Sequence, residues 1–378
     1  MNLIPVYDNL FNESDAQAAA QAVRSGILSS FGPEVGKLEK RFAEFIGTKY
    51  ALSCTSGTTA LYLALAALRK DHSPFGGMRK LTVAVPTCSY AATAFSVLHH
   101  DSEVVFIDSD IDTWNLNLNH LEQECKTRQH SDNPINVVLA VHNYGNPINM
   151  DKLMALSKKY YFLVVEDACE AFTSTYKGKQ LGSFGHIGVF SFYGNKLISA
   201  GEGGMVVVND DKYHEYMKLQ RGQGQDPNRR FWHLIPGWNF RMTNLQAAVV
   251  NSQFDRLDKT CARKREIYNY YHDHLDADLI WQTVPAGGES CWWMVSVRHW
   301  EEGWYERAAK HLLAKGIETR PIFPPIHKMP AMGLTSHYNS LYLPNADLLV
   351  DTGITLPSGP TLSNDDLAII TKTINEIV

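Results

Sequence analysis

Phe162-Leu163-Val164-Val165-Glu166-Asp167 is an apolar run closed by two carboxylates, and about thirty residues later the chain reads Ser191-Phe192-Tyr193-Gly194-Asn195-Lys196. Gly201-Glu202-Gly203-Gly204 follows at once. A short, continuous apolar run bounded by turns reads as a strand buried on both faces. Open α/β sheets collect their ligands at the carboxyl ends of such strands, which is where Asp167 falls. A carboxylate there, then a serine five residues before a lysine on a glycine-rich turn, suits pyridoxal phosphate. Lys196 would hold the cofactor as a Schiff base, Asp167 would pair with its pyridine nitrogen, and Ser191 would take its phosphate.

Outward from this strand the same pattern repeats. Apolar runs at 50–53, 81–85, 104–107, 135–141 and 161–165 alternate with helical stretches at 58–69, 90–98, 151–159 and 167–171. Strands that alternate with helices predict a mostly parallel sheet inside a three-layer α/β/α domain. Runs at 187–192 and 204–208 add a hairpin through the glycine-rich turn. Before them, 14–26 and 33–46 read as helices; in the second, Val35, Leu38, Phe42, Phe45 and Ile46 recur at helical spacing and Gly47 stops the pattern. The large domain is placed at 14–250. A long helix over 245–271 leads into a smaller C-terminal α+β domain, 251–378, which the N-terminal segment 1–13 joins. That domain is read as a strand at 292–297, a helix at 303–315, a proline-rich loop at 320–330 and a last helix at 363–377, while 126–134 reads as an exposed loop.

A chain of 378 residues carries two such units comfortably. Its 35 Lys plus Arg against 40 Asp plus Glu give a net charge of −5 without a basic block. That speaks against nucleic acid and against a membrane surface as partners. No stretch approaches the roughly 20 apolar residues of a membrane span, and the opening residues lack the basic flank and apolar run of a signal peptide. Six scattered cysteines without a CxxC pair read as reduced thiols of a cytoplasmic protein. Fifteen histidines without an HExxH-like spacing assign no metal.

Each candidate has a plainer alternative. Thr55-Ser56-Gly57-Thr58-Thr59-Ala60-Leu61 suits a helix start whose free amides bind phosphate, and equally an ordinary capped helix; with Ser191 it makes a phosphate cup. Asp167 also suits a helix N-cap. Lys196 must be uncharged when it attacks, which calls for a partly buried site, and its freed amine is placed to move a proton. Tyr90 offers a face to the pyridine ring or simply fills a core.

The chain resembles the DegT-type sugar aminotransferases, a family of fold type I (aspartate aminotransferase-like) pyridoxal phosphate enzymes, over essentially its whole length. The matching stretches are Ile4-Pro5-Val6-Tyr7, Ser29-Ser30-Phe31-Gly32-Pro33, the 55–61 run, Val165-Glu166-Asp167-Ala168, Gly182-Ser183-Phe184-Gly185, the Ser191–Lys196 run and Asn239-Phe240-Arg241-Met242. The resemblance implies cofactor contacts from Gly57, Thr58, Tyr90, Asp167, Ser191 and Lys196, with Glu170 near the cofactor's 3′ oxygen where many members carry Gln or His. It also implies a homodimer in which Asn239 reaches the neighbouring subunit's phosphate. His186 stands where an aspartate is usual, and Cys88 where a bulkier residue is common. Arg229-Arg230-Phe231-Trp232-His233 and Thr319-Arg320-Pro321-Ile322-Phe323-Pro324-Pro325-Ile326-His327 are similar to the perosamine-synthase branch. That branch aminates C4 of nucleotide-linked 4-keto-6-deoxyhexoses with L-glutamate as donor, for surface polysaccharide such as lipopolysaccharide O-antigen. Arg229, Arg230 and Arg320 would meet the diphosphate, and Trp232 and His327 the sugar or base; the arginine pair also reads as a solvated loop. Amination at C3 and a non-catalytic regulatory protein are the alternatives, while Lys196 argues against the dehydratases of the family, which carry histidine there.

Overall fold

The computed structural model describes residues 3–70, 80–333 and 337–378. Two helices, α1 (Glu13–Arg24) and α2 (Pro33–Ile46), precede the alternating part. That part runs β1 (Tyr50–Cys54), α3 (Gly57–Arg69), β2 (Thr82–Pro86), α4 (Ala92–Leu98), β3 (Glu103–Ile107), α5 (Leu118–Arg128), β4 (Val137–Val141), α6 (Met150–Tyr160) and β5 (Leu163–Asp167). Then come β6 (Thr175–Tyr176), β7 (Lys179–Gln180), β8 (Ile187–Ser191), β9 (Gly204–Val208) and the helices α7 (Asp211–Arg221), α8 (Asn244–Phe254) and α9 (Leu257–His274). The remainder is β10 (Ile280–Trp281), β11 (Gly288–Glu289), β12 (Ser296–Arg298), α10 (Trp304–Ala314), β13 (Arg320–Pro321), α11 (Pro344–Thr352), β14 (Gly353–Thr355) and α12 (Asn364–Asn375).

The main sheet has the order β1-β9-β8-β5-β4-β2-β3, and β9 alone runs antiparallel to its neighbours. Successive residues of each strand feed opposite cores, as the pleat requires. Val138 and Ala140 of β4 pack with α2, α5, α6 and α8, whereas Val137 and Leu139 pack with α3 and α4. Phe42, Phe172, Phe190 and Phe254 meet in the first core with ring centroids 4.9–6.1 Å apart, a separation at which edge and stacked aromatic pairs attract. A second, antiparallel sheet of order β10-β12-β14-β13 packs on α9, α10 and α12 through Ile267, Trp304, Leu312, Leu367 and Ile370. The hairpin β6–β7 pairs with β11, joining the two parts of the chain.

Four expectations change. The helix expected over 245–271 breaks at Asp255–Arg256, because Arg256 leaves helical geometry (φ −122°) to engage both carboxylate oxygens of Asp15 on α1. Residues 167–171 form turns, not a helix: β5 continues through Asp167, whose Oδ1 accepts from the Cys169 amide at 3.1 Å. In place of the strand expected at 292–297 there is a short strand, Ser296–Arg298, and Trp292 itself sits in the left-handed region at φ +51°. Residues 126–128 of the expected loop close α5.

Candidate active site

The parallel strands of the main sheet deliver their carboxyl ends to one cavity of about 650 Å³, lined among others by Gly57, Tyr90, Asp167, Ser191, Lys196 and Arg320. Its first wall is the start of α3. Ser56 caps the helix, its Oγ accepting from the Thr59 amide at 3.1 Å while the Thr59 hydroxyl accepts from the Ser56 amide at 3.0 Å. A helix's first amides have no intrahelical acceptor, and the dipole adds positive charge there. Glycine at 57 is what lets this end close on its neighbours: a Cβ would stand 2.8 Å from Cys169 Sγ and 3.0 Å from Ser191 Cβ. The Gly57 and Thr58 amides and the Ser191 hydroxyl therefore border one small concavity, of the kind an anion fills.

Asp167, 6 % exposed, forms the floor. Lys196 follows the β8 strand on a turn and reaches back over it. Its Nζ is 3.7 Å from Glu170 Oε1 and 3.8 Å from the centroid of the Trp293 ring. Glu170 is buried, accepts from the Tyr144 amide at 2.8 Å, and is pushed up to about 7 by that burial, with Lys196 pulling the other way. Loss of hydration disfavours the carboxylate, and the nearby ammonium returns only part of it.

The neighbouring Glu166 is structural. Wholly buried, it accepts from the Phe184, Gly185 and Gly182 amides at 2.7, 2.5 and 2.8 Å and pairs with His142 Nε2 at 3.3 Å. The His142 Nδ1 accepts from the Ile148 amide, which leaves the proton on Nε2 for the carboxylate. This carboxylate accounts for the Gly182-Ser183-Phe184-Gly185 turn, in which Gly182 takes φ +88°. His186 serves the same turn, its Nδ1 accepting from the Val164 amide at 3.0 Å. Cys88 donates to the Phe323 carbonyl at 2.9 Å.

Gly57, Thr58, Tyr90, Asp167, Glu170, Ser191, Lys196 and Arg320 thus share the cavity wall. Tyr90 is 65 % exposed, its ring edge-on to Phe323 at 6.4 Å. Arg229, Arg230, Trp232 and Asn239 lie on an exposed loop away from it, with the Arg229 guanidinium 3.9 Å above the Trp232 ring. His327 does not reach the cavity: it is wholly buried, its Nδ1 2.6 Å from Thr87 Oγ1. Trp293 was not anticipated. It lies about a hundred residues beyond Lys196, so no spacing rule connects them; only the apolar cluster around 292–295 marked the segment.

A sheet with one antiparallel strand and a cavity at its carboxyl edge, holding a lysine, buried carboxylates and a phosphate-sized concavity, defines a fold type I pyridoxal phosphate enzyme. Residues 10–375 match the DegT/DnrJ/EryC1/StrS aminotransferase family, and the chain belongs to that family. It is similar to GDP-perosamine synthase of Escherichia coli O157:H7, 36% identical over 378 residues (100% of this chain and 99% of the relative). It is also 36% identical to GDP-perosamine synthase of Caulobacter vibrioides, over 93% of this chain and 92% of that one. The solved aminotransferase from Psychrobacter cryohalolentis superposes with a TM-score of 0.86 at 26% identity, covering 97% of each chain. This protein is a pyridoxal phosphate-dependent aminotransferase.

Proposed function

We propose that the enzyme transfers the amino group of L-glutamate to C4 of a nucleotide-linked 4-keto-6-deoxyhexose, leaving a 4-amino-4,6-dideoxy sugar nucleotide for surface polysaccharide. The observation that carries this is the full-length similarity to two GDP-perosamine synthases. Incubating the protein with glutamate and a panel of nucleotide-linked 4-keto sugars, read by mass spectrometry, tests it. A product heavier by the exchange of oxygen for an amine, with nitrogen at C4, is expected; amination at C3 alone, or none, contradicts it.

Pyridoxal phosphate, when bound, supplies an electron-withdrawing ring and a carbonyl carbon that accepts and returns an amine. The chain supplies the rest. Lys196 would hold the cofactor, and its amine, once free, would take the proton from the α-carbon of glutamate and later deliver one to C4 of the sugar. Asp167, buried at the cavity wall, would hold a proton on the pyridine nitrogen. The Gly57 and Thr58 amides and the Ser191 hydroxyl would bind the phosphate, and Tyr90 would cover the ring. Arg320, at the cavity wall, offers a planar two-donor fork to an anionic part of either substrate.

Glu170, buried beside Lys196, has its carboxyl pushed up to about 7 by that burial, against 4.5 for the free group, so it holds a proton to higher pH in the folded chain. Between those values the folded chain binds more protons than the unfolded one, so stability falls as pH rises through that window. The cofactor-free protein should therefore melt lower at pH 8 than at pH 5, and Glu170→Gln should flatten the difference. Thermal unfolding at the two pH values checks this; an unchanged slope in the variant would place the titration elsewhere.

We further propose that 14–250 and 251–378 are the two domains, since each contains its own sheet and core, and that the enzyme works in the cytoplasm. No helix among the described residues is long and apolar enough to cross a membrane. We also propose a homodimer with shared sites, because Asn239, Arg229, Arg230 and Trp232 lie outside this chain's own cavity, exposed for a neighbouring one. Mixing inactive Lys196→Ala subunits with an Asn239→Ala variant of poor cofactor affinity should restore activity, because one site of each mixed dimer collects both lesions and the other neither. Self-contained sites would give no recovery at limiting cofactor.

A further inference from the structure

Lys264 of α9 is wholly buried, and among the described residues no carboxylate lies within ion-pair distance of it. Its Nζ donates to two main-chain carbonyls, that of Trp293 at 2.9 Å and that of Ser358, and lies 5.3 Å from the Tyr7 ring centroid. Burial without a counter-charge pushes its amine down to about 7. An apolar side chain of similar length would fill the space without that cost, so packing alone does not account for a lysine there.

The carbonyls it holds lead to the active site. Trp293 follows the left-handed Trp292, whose ring stacks on Tyr268 at 3.5 Å. From that kinked segment the Trp293 indole donates from Nε1 to the Asn195 carbonyl at 2.7 Å and lays its face over Lys196 Nζ. Ser358 is tied to the same place: its Oγ accepts from the Val295 amide at 2.8 Å and its amide donates to the Val6 carbonyl at 2.8 Å. Three residues beyond Val6, the Asn9 side chain donates to the Gly194 carbonyl. Two successive carbonyls just before Lys196 are thereby held from outside the main sheet, one by Trp293, whose carbonyl Lys264 holds, and one by Asn9, whose segment is tied to Ser358, the other carbonyl Lys264 holds.

We infer that Lys264 is a positioning residue for the reactive lysine, acting through the Trp293 carbonyl on the indole that clamps the 194–196 turn. The inference rests on Lys196 being the lysine that holds the cofactor. Lys264→Met keeps the volume and removes the donors. In the cofactor-free variant, hydrogen exchange of the 193–197 amides should speed up by about tenfold or more while the β4 and β5 amides stay protected. In the loaded enzyme kcat should fall roughly ten- to a hundredfold, as displacement of a reacting group does, with KM for glutamate little changed. Should this variant fail to fold, Trp293→Phe, which keeps the packing and loses the indole N–H, should show the same local exchange. Borohydride trapping in the parent separates the two ideas. Label on Lys196 with unchanged exchange and kcat in the variants overturns the positioning role alone, whereas label on Lys264 overturns the assignment of Lys196.

Discussion

Lys196→Ala is expected to abolish transamination in a protein that remains folded, with turnover falling by at least roughly 10²–10⁴-fold. In the proposed mechanism one amine both retains the cofactor and carries the protons, so its removal would end both tasks together. The fold has reason to survive. Lys196 is nearly buried, 12 % exposed, and its only carboxylate neighbour within 4 Å among the described residues is Glu170. With its carboxyl already pushed up to about 7, Glu170 can take a proton instead of standing as an unpaired buried charge. Circular dichroism and a melting curve like those of the parent, beside lost turnover, are the expected pair of results. A variant within about tenfold of the parent rate would show that another group moves the proton.

Asp167→Asn should keep part of the cofactor and lose most of the rate, on the order of 10²–10³-fold. The amide oxygen can still accept from the Cys169 amide, so the turn after β5 should hold. What would go is the negative charge proposed to keep the pyridine nitrogen protonated, and with it the electron withdrawal the chemistry needs. Turnover measured at saturating cofactor separates affinity from chemistry. Near-normal turnover would reduce Asp167 to a structural cap of that turn.

The core of the fold was legible because its strands announce themselves. The runs at 50–53, 104–107 and 204–208 match β1, β3 and β9 within a residue, the last two rich in Val and Ile and all three mostly apolar. Elements with mixed composition were not. The helix α7, with its Lys, His, Glu and Tyr positions, buries only Met217 and Gln220 and has no apolar stripe to read. The break between α8 and α9 falls where Arg256 pairs with Asp15, some 240 residues away in sequence, and Trp292, left-handed at φ +51°, stacks on Tyr268 of α9. Both are tertiary effects that override local pattern. For the site, Lys196, Asp167, Ser191 and Gly57 sit in short motifs with fixed spacing, and the structure gathers them in one cavity. Trp293 and Lys264 have no such motif. His327, expected in the proline-rich loop to meet the sugar or base, is instead wholly buried against Thr87.

The account turns on one covalent assignment. Reducing the cofactor-loaded protein with borohydride and mapping the labelled peptide tests it without any variant. The prediction is a single labelled residue, Lys196, in the peptide that carries Ser191-Phe192-Tyr193-Gly194-Asn195-Lys196, with the label lost when glutamate is added before the reductant. A label on any other lysine, or one that glutamate leaves in place, would contradict it.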